Sequence, residues 1–447
     1  MRTNFSEAQL ADPGIRQAAE ILRHCVECGA ANATCPSYLV LNEENDSPRG
    51  RNKLIRDMLQ DGRPPDSATV EHIDRCLSCN ACTALCLAKV DFMHLMDQAR
   101  GYIEMTYRRP LPDRLLRGLL AAVLPSPGLF RLALAGSRLA RPFAGLMPGR
   151  LKGMLRLAPR RAARPSPVDR PQVIAAEGPR RMRVALLTGC VQQVLEPAIN
   201  EATVRLLTRH GCEVVIAAGA GCCGALTHHL GKRVPTENAV KANVAAWMSE
   251  VDGQGLDAIV ANASGCGTMV KDYGHVLVND PAWAERGARI AALARDVTEV
   301  MSKLGLRSPA CPEPLSVAYH PACSLHHAQK IHNEPKGLLA DCGFTLKAIP
   351  ESHICCGSAG SYSLLQPAVA EKLKERKAAH IGWVAPDVVA AGNIGCMVQI
   401  ASATQVPVVH TLELLDWATG GPRPQGLGSV SGRALEDVTR DLRERRS

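Results

Sequence analysis

Residues 182–190 read MRVALLTGC, and residues 315–323 read LSVAYHPAC. Each is a short apolar run that ends at a cysteine. A Cys-Cys-Gly triplet follows at the same distance in both: Cys222 lies 32 residues after Cys190, and Cys355 lies 32 residues after Cys323. The triplets are Cys222-Cys223-Gly224 and Cys355-Cys356-Gly357. A last cysteine closes each copy, Cys266 in NASGCG and Cys396 in GNIGC, at gaps of 44 and 41 residues. Chance does not supply two such matches, so the chain contains an internal repeat.

The surrounding pattern gives the repeat its fold. CEVVIAA (212–218) and FTLKAI (344–349) read as second strands, and LDAIVANASGC (256–266) and DVVAAGNIGC (387–396) as third strands. Helical spacing fills the gaps, as in PAINEATVRLLTRHG (197–211) and PAVAEKLKERKAAHIGWV (367–384). Apolar strands alternating with helices predict an α/β fold with parallel sheets covered on both faces. Sites in such sheets lie at the carboxyl ends of strands. Cys190, Cys266, Cys323 and Cys396 fall at predicted strand ends, on that rim.

The N-terminal quarter is different. Residues 76–87, CLSCNACTALCL, carry Cys-x2-Cys-x2-Cys-x3-Cys. Residues 25–36, CVECGAANATCP, keep the same frame with Cys25, Cys28 and Cys35, but Ala31 stands where the third cysteine would fall. Thiolates hold iron–sulfur clusters because sulfur is a soft, strongly donating ligand. In two-cluster ferredoxins each run gives three cysteines to one cluster and its fourth to the other. On that rule Cys76, Cys79 and Cys82 with Cys35 form a complete [4Fe–4S] site. Cys25, Cys28 and Cys86 form a site with three protein thiolates. Three thiolates suit a [3Fe–4S] cluster, or a [4Fe–4S] cluster with one iron capped otherwise. Cys35 is followed by Pro36, whereas Cys86 is followed by Leu87, a second departure on the same altered site. Cys-x2-Cys pairs also suit tetrahedral zinc, but the unbroken run at 76–86 is far more specific for iron–sulfur.

Composition bounds the remaining readings. The chain has 447 residues, enough for two to four domains. Aromatic content is 3%, which argues against a nucleic-acid platform built on base stacking. Eighteen cysteines combine with an N-terminus, MRTNFSEAQLADPGIRQAAE, that lacks the apolar core of a secretory signal. That predicts a reducing compartment, where clustered cysteines point to metal rather than to a disulfide framework. The formal charge is +9, and residues 114–168 hold eleven Lys or Arg with no Asp or Glu. The run 118–130 in this segment is too short and too broken by proline to span a bilayer. Residues 130–157 mix apolar and basic residues at roughly helical spacing, which suits an anionic membrane surface, a partner subunit or a solvated linker.

The Cys-Cys-Gly runs are a different ligand set. Adjacent cysteines strain a single tetrahedral metal but reach different irons of one cluster, and thiol–disulfide chemistry is the rival reading. The glycine allows close backbone approach or a positive φ. His320, His326 and His327 flank Cys323, and His353 precedes Cys355; each could reach a cluster or simply pack. Arg49 and Arg51 in DSPRGR (46–51) could offset cluster charge near Cys35 or serve on the surface. No G-x-G-x-x-G or P-loop is present, so no dinucleotide or triphosphate site is visible.

These motifs carry a family resemblance. CVECG (25–29), DSPRGR (46–51), RCLSCNAC (75–82), RRPLPDRLLR (108–117), AGCCGAL (220–226), ASGCGTMVKDYG (263–274), LHHAQK (325–330), SHICCGSAGSY (352–362) and GNIGC (392–396) run in order along nearly the whole chain. Together they resemble the iron–sulfur subunits of glycolate oxidase (glycolate dehydrogenase). The resemblance implies a helical ferredoxin-like domain (1–105), a basic connector (106–180), two heterodisulfide-reductase-type Cys-Cys-Gly domains (181–310 and 311–420) and a C-terminal tail (421–447). It implies ferredoxin ligands at Cys25, Cys28, Cys35, Cys76, Cys79, Cys82 and Cys86. It implies cofactor-binding cysteines at Cys190, Cys222, Cys223, Cys266, Cys323, Cys355, Cys356 and Cys396, leaving Cys212, Cys311 and Cys342 as structural residues. The heterodisulfide-reductase type ends each domain in Cys-x2-Cys, where this chain has Ala263 and Asn393 before Cys266 and Cys396. The implied activity is electron transfer from an FAD-bearing dehydrogenase subunit toward a quinone-type acceptor, with a cytoplasmic location at or near the inner face of the membrane. Cluster subunits of glycerol-3-phosphate or lactate dehydrogenases share this layout, and a thiol–disulfide reductase or a zinc scaffold would use the same cysteines differently.

Overall fold

A computed structural model describes residues 1–146, 153–155 and 163–428. The N-terminal part is helical. Helices Pro13–His24, Pro48–Asp61, Ser67–Asp74 and Phe92–Thr106 start at Asp12, Ser47, Asp66 and Asp91, each of which accepts a backbone N–H from the first turn. Ala18, Leu22, Ile55, Leu59, Ile73, Leu95 and Ile103 close their apolar faces into one core. The two cysteine runs thread between these helices as short turns, Ala30–Thr34 and Ala81–Leu85.

The repeat builds two sheets of matching topology. The first contains β1 (Gln172–Ile174), β2 (Met182–Leu187), β3 (Cys212–Ile216), β4 (Ala258–Ala261) and β5 (Ala294–Asp296), in the order β1-β3-β2-β4-β5. The second contains β6 (Ser316–His320), β7 (Thr345–Lys347), β8 (Val388–Ala391) and β9 (Val408–His410), in the order β7-β6-β8-β9. All pairs are parallel except β1 with β3, an antiparallel edge supplied by the end of the basic segment. Strand order reverses beside β2 and β6, so a crevice opens at their carboxyl ends, the expected position for a site.

Side chains alternate between two buried faces. Val184 and Leu186 face a central core, while Ala185 and Leu187 face an outer one. In the second sheet Val317 and Tyr319 face the central core and Ala318 the outer one. Helices Ala198–Arg209, Val297–Leu304, Glu334–Asp341 and Thr411–Ala418 contribute to the central core, which includes residues of both sheets. Cys212 and Cys342 lie in it as small apolar residues, and burial pushes their thiols up to about 11 and about 12. Cys311 is exposed and donates to the Glu313 carbonyl.

The helical domain sits against both repeats. Tyr362 Oη donates to the Arg75 carbonyl at 2.9 Å, and Lys232 pairs with Glu104 at 2.6 Å. His94 bridges Asp91 and Asp272 at 2.6 and 2.9 Å and stacks on His275. Burial opposes its charge, but the hydrogen bonds and charges of Asp272 and Asp91 prevail and raise it to about 10. Its pKa is above the unfolded value of about 6.5, so its stabilisation is complete below that pH and is lost as pH rises through about 10. Thermal unfolding followed from pH 6.5 to 10.5 should show a fall in Tm that is shallower in His94→Gln. Equal slopes in the two proteins would contradict this assignment.

The basic segment is not a plain linker in the described residues. Helices Leu111–Val123 and Pro127–Ala140 fold back on each other, with Arg117 and Arg109 both paired to Asp74. Within 130–157, residues 147–152 and 156–157 lie outside the described residues, as does 429–447 of the C-terminal tail. No described helix is long and apolar enough to cross a membrane.

Candidate metal centres

Four thiols from both cysteine runs meet at one cavity. Cys35, Cys76, Cys79 and Cys82 line it together with Pro36, Arg51 and Met93. This is the set expected from ligand exchange between the runs. Burial raises the Cys79 thiol, and the charges of Cys323, Cys82 and Cys35 raise it further. Cys82 is raised by burial, then by Cys76 and Cys35. Two buried thiols, Cys35 and Cys79, and two partly buried ones, Cys76 and Cys82, crowded into one cavity fit a cation-rich group that would neutralise them.

The DSPRGR loop supports that site. Arg51 is buried, with Nη1 3.7 Å from Cys35 Sγ and Nη2 2.9 Å from Ser37 Oγ. Burial disfavours its charge, but Cys76, Cys35 and the ion pair with Asp46 (3.2 Å) outweigh this. Asp46 is fully buried and also accepts from His72 and Arg75. Gly50 is required here, because a Cβ would lie 2.0 Å from the Glu44 carbonyl oxygen. Arg49 instead pairs with Glu44 near the surface. Arg100 adds a second buried cation, donating to Ser78 Oγ and the Cys76 carbonyl, both at 2.6 Å.

The other three ferredoxin-type cysteines lie apart from this cavity. Cys25 and Cys86 pack in the core of the helical domain. Asn52 Nδ2 donates to Cys25 Sγ at 3.3 Å, and the Val90 N–H to Cys86 Sγ at 3.4 Å. Cys28 is exposed near Arg49. Ala31 is buried in the turn Ala30–Thr34.

Each repeat gathers its own four thiols. In the first, Cys222 accepts hydrogen bonds from Cys190 and then Cys223, which pull it down to about 3; Cys223 in turn interacts with Cys266. In the second, Cys323 Sγ lies 3.8 Å from Cys355 Sγ, and Cys356 is pulled down by Cys355, Cys396 and then His320. The expected glycines have positive φ, +91° at Gly224 and +87° at Gly357. A Cβ at Gly357 would also lie 2.7 Å from the Ala370 carbonyl oxygen. The glycine N–H groups turn back on Cys222 and Cys355 at 3.5 and 3.4 Å.

Cys266 and Cys396 do not end strands. The strands stop at Ala261 and Ala391, and the two cysteines sit in the first turns of helices Ser264–Lys271 and Ile394–Ala401. The short strands of a parallel sheet hand over to helices within a few residues, and an apolar run does not mark that handover. Asn393 Nδ2, at the position of the missing Cys-x2-Cys cysteine, donates to Cys396 Sγ at 3.5 Å.

The second repeat adjoins the ferredoxin-type site directly. Leu77, Cys79 and Ala81 pack with Ile354, Cys355 and Tyr362, and Cys323 borders the same cluster. Cys323 precedes a π-helical turn, Ser324–Ala328, a form frequent at functional sites. Of the flanking histidines only His320 reaches the thiols, lying with Cys356 and Cys396. His327 Nε2 donates to the His353 carbonyl, and His326 meets His332 at 2.9 Å. Lys377, which belongs to no motif in the sequence, is buried beside the same thiols.

Comparison with known proteins agrees with this arrangement. Residues 21–90 match a 4Fe-4S dicluster domain, and residues 184–271 and 317–401 each match a cysteine-rich domain of the CCG family. The glycolate oxidase iron-sulfur subunit of Escherichia coli (strain K12) is 37% identical over 94% of this chain and 99% of its own length. The chain belongs to the glycolate oxidase iron–sulfur subunit family. A probable glycolate oxidase iron-sulfur subunit of Bacillus subtilis (strain 168) is 29% identical over 89% of this chain and 94% of its own. Lactate utilization protein A of Bacillus velezensis is 26% identical over 53% of this chain and 99% of its own. As a glycolate oxidase iron–sulfur subunit family member, the chain is an iron–sulfur electron-transfer subunit of an oxidoreductase.

Proposed function

We propose that this chain carries electrons from the flavin of a partner dehydrogenase subunit that oxidises glycolate to glyoxylate, and passes them toward a quinone-type acceptor. One observation carries the reading: the complete four-thiol ferredoxin site packs against the thiols of the second repeat, so two candidate redox centres adjoin across one apolar wall. Iron–sulfur clusters supply one-electron steps, which match a flavin that takes two electrons and releases them singly. Cys35, Cys76, Cys79 and Cys82 would hold one cluster, and Cys25, Cys28 and Cys86 a second. The eight cysteines of the repeats would hold further metal. Arg51 and Arg100 provide positive charge that favours arrival of an electron at the four-thiol site. Leu77, Ile354 and Tyr362 keep water from the contact between that site and the second repeat.

The function test uses the assembled complex. Glycolate should reduce a soluble quinone analogue when this chain is present. The flavin subunit without it should oxidise glycolate with an artificial dye but not with the quinone. Preference for D-lactate or glycerol 3-phosphate would move the chain to the related dehydrogenases. Disulfide reduction by the isolated chain with reduced dye would favour the thiol–disulfide reading.

The altered site gives a separate prediction. Ala31→Cys should supply the absent thiolate and raise iron content by about one per chain. Low-temperature EPR should then show a three-iron signal giving way to a four-iron one. Identical iron and spectra in both proteins would mean that position 31 is not a ligand position.

A further inference from the structure

His320 ends β6 inside the second repeat and is 1% exposed; its ring nitrogens meet no oxygen or nitrogen partner, and the polar group it addresses is the Cys356 thiol. A buried ring nitrogen left without a partner is unfavourable, and a bound ligand would satisfy it. The ligand atoms of His320, Cys356 and Cys396 all lie within 4.8 Å of one another. Cys323 and Cys355 sulfurs adjoin them, 3.8 Å apart. A tetrahedral centre with metal–sulfur bonds of about 2.3 Å separates its sulfurs by nearly 4 Å, so the thiol spacing suits a metal.

The first repeat lacks this arrangement. The spacing that aligns Cys190 with Cys323, and Cys222-Cys223 with Cys355-Cys356, sets Leu187 against His320 and Val244 against Lys377. Leu187 and Val244 are packed in an apolar core. Lys377 instead donates to the carbonyls of Glu351 and Ser352 at 2.8 and 3.4 Å, with its charge beside Cys356, Cys355 and Cys396. The thiols repeat, but the nitrogen donor and the buried cation do not.

We propose that His320 is a nitrogen ligand of a metal centre in the second repeat, beside Cys356 and Cys396, so that the two repeats hold chemically different centres. The inference rests on reading the repeats as metal-binding. A neutral imidazole in place of a thiolate removes one negative charge from the centre, and Lys377 offsets another. Both changes make a redox-active centre here easier to reduce than an all-thiolate one. The second repeat would then draw electrons from the adjoining four-thiol site.

The test uses full-length chain purified without oxygen and labelled with 15N-histidine. Metal analysis of the wild type and of a Cys356→Ser/Cys396→Ser variant identifies the ion lost from this centre. For iron, pulsed EPR reads 15N coupling; for zinc, X-ray absorption at the zinc edge reads the first shell. The expected result is a histidine nitrogen in the wild type and in the control His327→Ala. It should be absent in His320→Ala and in His320→Cys, the latter keeping its metal through a replacement thiolate. Circular dichroism and the signal of the 76–82 site report folding in each variant. No nitrogen in the wild type, a nitrogen that survives in His320→Cys, or no metal in the second repeat overturns the proposal. The glycolate-to-quinone assay remains a separate test of the electron-carrying reading, since it needs the partner and this one does not.

Discussion

Cys35→Ser is expected to strip the cluster from the 76–82 run, although Cys35 lies some forty residues before it in the chain. Iron should fall by about four per chain or, if a three-iron form persists, by about one. Electron transfer to quinone should drop to background. The reason is geometric: Cys35 shares a cavity with Cys76, Cys79 and Cys82, whereas Cys25, its neighbour in the first run, packs elsewhere and accepts from Asn52. Cys25→Ser should therefore spare the EPR signal of the four-thiol site. A reversal, with Cys25→Ser removing that signal and Cys35→Ser leaving it, would show that each run serves its own cluster.

Arg51→Met has the next largest effect, on stability as well as on potential. Arg51 is 2% exposed and Asp46 is fully buried. Removing one partner of a buried pair typically costs about 3–5 kcal/mol, because the other charge stays buried. His72 and Arg75 also reach Asp46, so the loss should fall toward the lower end of that range. The reduction potential of the four-thiol site should fall too, since a cation beside Cys35 favours the reduced, more negative state. Asp46→Asn added to Arg51→Met should recover much of the stability but not the potential. Thermal unfolding and an EPR-monitored redox titration separate the two effects. A potential that recovers with the stability would place Arg51 in a structural role alone.

Sequence spacing carried much of the architecture because thiol ligands leave regular intervals. The equal Cys190–Cys222 and Cys323–Cys355 spacings revealed two units, and the structure contains two sheets of matching order. The apolar runs marked β2, β3, β4, β6 and β8 within a few residues, since strands buried on both faces must be almost wholly apolar; β7, a three-residue edge strand with Thr345 exposed, was found by its place in the repeat. The antiparallel edge β1 was not legible: QVI is three residues long and its pairing is non-local. The helical placement of Cys266 and Cys396 was missed for a related reason, as the strand-to-helix turn leaves no break in the apolar pattern. His320 and Lys377 stand 57 residues apart in sequence, and only folding brings both to the same thiols. His326 and His327 are no less suggestive in the sequence than His320, yet they turn away into contacts with His332 and His353.

The central claim is that electrons from the partner flavin enter this chain through the four-thiol site. Low-temperature EPR of the assembled, oxygen-free complex, frozen shortly after glycolate is added, tests it directly. The account predicts a reduced-cluster signal in the wild type that is missing in Cys79→Ser, while the flavin is reduced in both. Flavin reduction with no cluster signal in the wild type, or a signal unchanged in Cys79→Ser, would contradict it.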